Sequence, residues 1–387
     1  MIEDKEDSST ADSVNKLDKT KDQNKIYAGL DFLLSPTSIF HCYLIIITCT
    51  IIGNITRFGI LHLSNYSYSF IAPKNTLWPN FVSCLIMGMC QTLNSKEIGW
   101  FTECPYLFTG ITVGFCGSLS SYSSMMLEVF LFSTSLNLVN IKYNSKLPNR
   151  AYGIMEFLSV LLSQMFVSLG AYLFGRAFAS DIIVKFIDIC VKRKSSSSFS
   201  SSSSPEGSVE SISYRTLRKY IKFVDFLLAG LAIPLIILFV VLASVYDNVS
   251  RSDWTLGPIF GIFGTFARYY ISLFFHPLSK KFYYGTFMCN EFAVLTLGFF
   301  TLVQRGYNSS LTGPIVSRIN ACRIVSSLAG GFCGSLSTIS TFINEGYNMD
   351  LAHALNYYII TIALSYILLV ITLGAFSWSR GLTESIC

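Results

Sequence analysis

Apolar residues along the chain gather into nine stretches separated by polar or charged residues. They run roughly over 39–60, 77–93, 105–139, 152–178, 222–246, 256–275, 284–303, 321–343 and 353–378. Most are near the ~20 residues an α-helix needs to cross a bilayer, and 105–139 is long and broken. None alternates with period two, as strands of a membrane β-barrel would. The pattern predicts an all-α polytopic membrane protein with nine spans. Two of the stretches are interrupted by glycines and hydroxyl side chains, a poor composition for a lipid-facing helix and a good one for lining a polar path.

Those two interruptions are copies of one another. Gly114 to Glu128 reads GFCGSLSSYSSMMLE and Gly331 to Glu345 reads GFCGSLSTISTFINE, with nine of fifteen positions identical at a shift of 217 residues. Two further landmarks recur in the same order. GNITRF (Gly53 to Phe58) matches GTFARY (Gly264 to Tyr269), and NTLWPN (Asn75 to Asn80) matches GTFMCN (Gly285 to Asn290). Three landmarks in order mean an internal duplication. The expected organisation is a disordered cytoplasmic tail over 1–37 and a four-span repeat over 38–180. A basic, Ser-rich linker (181–221), a linking transmembrane helix (222–247) and a second four-span repeat (248–387) follow. A single extra span turns the second repeat over, so the repeats are inverted about an axis in the membrane plane, with the third helix of each broken at glycine.

Composition and charge refine this picture. The chain is 51% hydrophobic and 13% charged, too apolar for an ordinary soluble protein. Its net charge of +5 is concentrated around the linker, at Lys192, Arg193, Lys194, Arg215, Arg218, Lys219 and Lys222. It therefore speaks to topology and not to a nucleic-acid partner. By the positive-inside rule the linker and amino terminus are cytoplasmic and the carboxyl terminus lies outside, although Lys142, Lys146 and Arg150 run against this. The sequons at Asn65, Asn248 and Asn308 then fall in outside loops as glycosylation candidates, and Asn54 sits within a span. No phosphate-binding G-x-x-x-x-G-K-[ST] loop is present, so no nucleotide partner is expected. The eleven cysteines form no CxxC pair and mostly lie in apolar spans, which reads as packing and not as disulfides or metal ligands.

The glycine-broken third span, the Asn in the second and the Arg in the first resemble the fluoride channel family (Fluc, or CrcB). Two repeats joined by a linking helix resemble its eukaryotic branch, the FEX exporters of fungi. The resemblance implies a passive, fluoride-selective channel of the plasma membrane that clears cytoplasmic fluoride outward, working as a single chain amid membrane lipid. It places the fluoride-contacting aromatic box at Tyr122 and Met125 in the first repeat and Ile339 and Phe342 in the second. It places the pore amides at Asn80 and Asn290, and a structural sodium ion on backbone oxygens of Gly117, Ser121, Gly334 and Thr338. Since the family's pores take box residues from opposite halves, Tyr122 and Phe342 are expected to share one conducting pore, leaving Met125 and Ile339 in a degenerate one.

The residue types suit that task. Neutral amides and hydroxyls, including Ser123, Ser124, Ser340 and Thr341, replace fluoride's hydration without trapping it. An aromatic ring presents a positive edge. Tyr357, Thr361 and Ser365 fall four apart on the last span as a polar track, with Met155, Ser159 and Ser163 expected as its poorer counterpart. Arg57 and Arg268, costly in lipid, are expected at a vestibule, and Glu128 and Glu345 at a gate or helix end. The competing reading is a proton-coupled anion transporter using Glu128 or Glu345. An intramembrane hydrolase built on GSLSS lacks a base recurring with both copies.

Overall fold

The computed structural model describes residues 36–66, 71–95, 98–102, 104–136, 149, 151–185, 207–245, 252–275, 281–310 and 313–387. Residues 1–35 of the expected amino-terminal tail, the Ser tract, Lys142, Lys146, Arg150 and Asn248 lie outside the described residues, and residues 36 and 37 of that tail already belong to the first helix.

The first repeat comprises α1 (Pro36–Leu63), α2 (Leu77–Leu93), the broken pair α3 (105–119) and α4 (Tyr122–Ser133), and α5 (Ala151–Phe178). The linking helix is α6 (Gly207–Val245). The second repeat repeats the scheme with α7 (Ser252–Phe275), α8 (Tyr284–Arg305), the broken pair α9 (319–336) and α10 (Ser340–Tyr347), and α11 (Leu351–Leu369). Among the described residues, six helices are individually long and apolar enough to cross a membrane. The 17-residue α2 and the two broken pairs supply the remaining positions. The linking helix begins at Gly207, earlier than residue 222, so part of the basic linker is helical.

The breaks follow from local chemistry. Before each one the helix widens into a π-type turn, over Gly110–Cys116 and Leu328–Cys333. Ser120 and Ser337 then take extended backbone (ψ 156° in both). Ser121 restarts the first helix as its N-cap, its hydroxyl accepting from the Ser124 amide, and Thr338 accepts from the Thr341 amide in the same way. Hydroxyl side chains compete for backbone in this manner, which makes them poor mid-helix residues and good caps.

Tight helix crossings hold each repeat together. A Cβ on Gly53 in α1 would meet the Phe115 carbonyl at 2.7 Å, and one on Gly264 in α7 would run into the matching Phe332 carbonyl. Each restarted helix packs on the last helix of its own repeat and also reaches the other repeat: α4 packs on α5 and on α8 and α11 of the second repeat, and α10 on α11 and on α2 and α5 of the first. Tyr122, Met125, Tyr172, Ile339, Phe342 and Tyr357 thus meet in one buried core. The linking helix docks on α1 through His41 Nε2 and Asp225 Oδ2 (2.6 Å) and through the Thr48 hydroxyl donating to the Leu228 carbonyl.

One cysteine expectation is overturned. Cys322 and Cys387 form a disulfide, Cα to Cα 6.0 Å, that ties the carboxyl terminus to the start of α9. Cys322 is buried in α9 and Cys387 is half-buried at the end of the tail, and the eight described free cysteines are all buried.

Candidate ion pathway

The two breaks touch at the centre of the molecule. The Ser120 hydroxyl lies 3.2 Å from those of Thr338 and Ser340. The Ser123 amide donates to Ser337 Oγ at 3.0 Å. Ser123 Oγ donates to the Cys333 carbonyl and Ser340 Oγ to that of Cys116, both at 3.3 Å, an exchange related by the repeat itself. Ser124 and Thr341 are partly buried at the two helix starts, bonded to Ser121 and Thr338.

The two expected asparagines clamp the breaks. Asn80 Oδ1 accepts the Ser121 amide and Asn290 Oδ1 the Thr338 amide, each at 2.9 Å. In an unbroken helix those amides would close onto the carbonyls of Gly117 and Gly334. Both carbonyls are thereby released from that partner, on two of the four residues expected to hold a cation.

Arg57 and Arg268, expected at a vestibule, are 2% and 4% exposed and sit in the seam between repeats. Arg57 donates to Asn54 Oδ1 (2.7 Å) and to the Gly330 carbonyl of the other repeat. Arg268 donates to Ser335 O (2.9 Å) and to Val113 O (2.8 Å) across the seam. Val113 and Gly330 are equivalent at the repeat shift, so each arginine satisfies a carbonyl loosened by the opposite π-type turn. Each guanidinium also lies against a glycine of the other repeat, Arg57 on Gly334 and Arg268 on Gly117.

On one side of the seam the buried surface is aromatic and hydroxyl-bearing. The Tyr122 and Phe342 rings, one from each repeat, meet edge to face at 5.2 Å. Phe342 also contacts Tyr357 at 4.9 Å and Tyr358 at 4.7 Å. Tyr357, Thr361 and Ser365 are all buried on one face of α11. Tyr357 donates to Glu345 Oε2 (2.8 Å), whose other oxygen accepts from Thr286 (2.6 Å). Thr361 donates to its own helix at the Tyr357 carbonyl. Ser365 Oγ lies 3.2 Å from the Tyr122 hydroxyl and donates to Glu291 Oε1 at 2.9 Å.

The other side carries Met125 and Ile339, both buried, where the first has Tyr122 and Phe342. Its polar counterpart of the α11 track differs from the expected run. Met155 is 63% exposed, and Ser159 and Ser163 are exposed with it. The buried face of α5 instead presents Gln164, Ser168 and Tyr172. Gln164 donates to Glu128 Oε2 at 2.9 Å, as Tyr357 does to Glu345. Glu128 Oε1 caps the start of α2 by accepting the Thr76 amide (2.8 Å). Tyr172 donates to Asn344 Oδ1 (2.7 Å), and the Arg176 guanidinium lies 4.7 Å over the Tyr347 ring, so this side ends in a bonded cluster.

Sequence reasoning missed Glu291, Gln164, Ser168 and Tyr172. The signal for Gln164 was its polarity amid an apolar span, and for Glu291 a carboxylate directly after the pore amide. Of the glycosylation candidates, Asn65 is exposed and Asn308 half-buried, while Asn54 is fully buried.

Two inverted four-span repeats, a linking helix and a buried polar seam where two helix breaks meet define a polytopic membrane protein built for passage of a small solute. The chain belongs to the family described as CrcB-like protein, Camphor Resistance (CrcB), whose model matches residues 44–172 and 255–375, one match per repeat. It is 46% identical over 369 residues to Fluoride export protein 1 of Saccharomyces cerevisiae, covering 90% of this chain and 96% of that one. The identity to Fluoride export protein 2 of the same yeast is also 46%, with the same coverage. Fluoride export protein 1 of Candida albicans is 30% identical, over 91% of this chain and 84% of its own length. No solved structure matches the chain.

Proposed function

We propose that the protein is a passive fluoride channel that exports cytoplasmic fluoride through the side of the seam bearing Tyr122 and Phe342, the Met125 and Ile339 side being degenerate. The observation that carries this reading is the 5.2 Å edge-to-face pair of Tyr122 and Phe342, flanked by the buried hydroxyl face of α11. Positive ring edges and neutral hydroxyls give a dry constriction that contacts a small anion without holding it. The yeast and Candida relatives, named for fluoride export, support the choice of ion. A membrane potential negative inside drives an anion outward with no other energy source.

The released carbonyls of Gly117 and Gly334, with Ser121 and Thr338 beside them, are uncharged oxygen donors that suit a sodium ion. Such an ion would supply a fixed positive charge at the seam. The arginines alongside are engaged by Val113, Ser335 and Gly330, which leaves those glycine carbonyls to other partners. One chain supplies both repeats, so the functional unit is a single chain. The orientation with the amino terminus in the cytoplasm and the carboxyl terminus outside the plasma membrane draws support from the Cys322–Cys387 disulfide, since such bonds persist in oxidising surroundings.

The test is anion efflux from liposomes holding the purified protein, fluoride against chloride, with valinomycin setting the voltage. Rapid fluoride-only efflux that follows voltage supports the channel. Uphill fluoride movement driven by a pH gradient would replace it with a proton-coupled transporter using Glu128 or Glu345.

A further inference from the structure

Glu291 stands apart from every residue expected in the pathway. It is 7% exposed, directly follows Asn290 on α8, and has one carboxylate oxygen, Oε2, with no hydrogen-bond partner. Its other oxygen receives the Ser365 hydroxyl, 2.9 Å away. A serine hydroxyl carries one hydrogen, so Ser365 can then only accept from Tyr122, 3.2 Å off. Both hydroxyl hydrogens at the aromatic pair are committed within the protein, pointing along the line from Tyr122 to Ser365 to Glu291. Thr361 has likewise spent its hydrogen on the Tyr357 carbonyl. A charged Glu291 therefore leaves this level without a hydroxyl donor for an anion, and puts a negative charge one residue behind the constriction.

The arrangement is confined to the aromatic side. In the first repeat Phe81 follows Asn80 where Glu291 follows Asn290. The bonding of Gln164 and Tyr357 to equivalent glutamates aligns Tyr172 with Ser365. The degenerate side therefore has neither the carboxylate nor the serine.

We propose that Glu291 is a proton-operated positioning residue of the fluoride path. Protonation adds an O–H at the carboxyl, which donates to Ser365 and reverses the chain. The Ser365 and Tyr122 hydrogens become available to the ion, and the opposing charge is removed. The step is one proton taken up at Glu291, with no other bond made or broken.

Neighbouring titratable groups are otherwise engaged. Tyr122 on α4 bonds Ser365, Tyr357 on α11 donates to Glu345 of α10, and Tyr366 lies 2.9 Å from the Ser133 hydroxyl. Arg268 on α7 bonds Ser335 and Val113, and Arg323 on α9 contacts Asn320. Among the described residues no cation forms an ion pair with Glu291.

The inference rests on the fluoride-channel reading, and the experiment separates the two. Fluoride efflux is measured in proteoliposomes at equal pH inside and out, stepped from 6 to 8.5, with protein-free vesicles correcting for leak of neutral acid. The unaltered protein is expected to lose flux as pH rises, approaching the about tenfold fall per unit of a one-proton requirement. Glu291→Gln donates to Ser365 permanently and is expected to flatten the profile while keeping the low-pH flux. Glu291→Asp should keep a slope, and Glu291→Ala, which removes the charge, should be flat even if the Gln variant does not fold. A flat profile in the unaltered protein with measurable flux, or an unchanged slope in the Gln or Ala variant, overturns the proposal. Absence of fluoride flux at every pH instead overturns the channel reading.

Discussion

Replacing Phe342 with Ala should stop fluoride flux, and replacing Ile339 with Ala should not, although both side chains are fully buried. Phe342 makes three ring contacts, at 4.7, 4.9 and 5.2 Å. At roughly 0.5–1.5 kcal/mol each, their loss comes to roughly 1.5–4.5 kcal/mol. Ile339→Ala leaves a smaller cavity, and buried Ile→Ala changes cost about 2–5 kcal/mol in soluble cores. Lipid is as apolar as the core, so the part due to transfer from water shrinks in a bilayer and both costs belong near the lower end. The two variants should therefore be destabilised alike, and stability cannot explain a difference in flux. The constriction can: losing even about 1.4 kcal/mol of ion stabilisation there slows passage about tenfold. The assay pairs thermal unfolding in detergent with efflux from liposomes at matched protein content. Expected are similar drops in midpoint, a loss of flux of at least about tenfold for Phe342→Ala, and a change within about twofold for Ile339→Ala. Loss of flux in a folded Ile339→Ala or Met125→Ala protein, with Phe342→Ala still conducting, would refute the assignment of the conducting side.

Gly117→Ala and Gly334→Ala would drive a methyl into Arg268 and Arg57, so each should lower the unfolding midpoint by the roughly 1–3 kcal/mol of overpacking. An unshifted midpoint in both would show that the arginines are not held in the seam. Cys322→Ser should free Cys387, half-buried in the tail, for labelling by a membrane-impermeant maleimide added outside intact cells. Labelling only after permeabilisation would reverse the assigned topology. The bridged residues are 65 apart in sequence, so loop closure sets an upper limit of about 4 kcal/mol on what this bond adds. Gln164→Leu strands Glu128 Oε2, and should lower stability by about 1–3 kcal/mol while leaving fluoride flux near its original rate. A large flux loss at unchanged stability would give the first-repeat side a conducting role.

Much of the architecture was legible because bilayer thickness writes helix length directly into hydropathy. The second span was expected at 77–93 and forms α2 over those residues. The repeated GFCGSLS segments located both breaks, since glycine and hydroxyl residues act through backbone chemistry within a few positions. The tertiary structure alone decided the rest. Residues spaced four apart on α5 offer several registers, and only packing against α2 selects Gln164, Ser168 and Tyr172 over Met155, Ser159 and Ser163. The arginines look alike in sequence at a lipid boundary or a vestibule. Their placement in the seam needs the carbonyls of Val113 and Gly330, which lie 155 and 273 residues away in the chain from Arg268 and Arg57. Cys322 finds Cys387, and Glu291 finds Ser365, only after the last span and the tail fold back on α8 and α9. Sequence by itself determined which segments enter the membrane and where they break, because water, lipid and local backbone bonds act on each segment separately. Which side chains meet across the seam depended on α4 and α10 each reaching into the other repeat, a long-range packing that no single segment encodes.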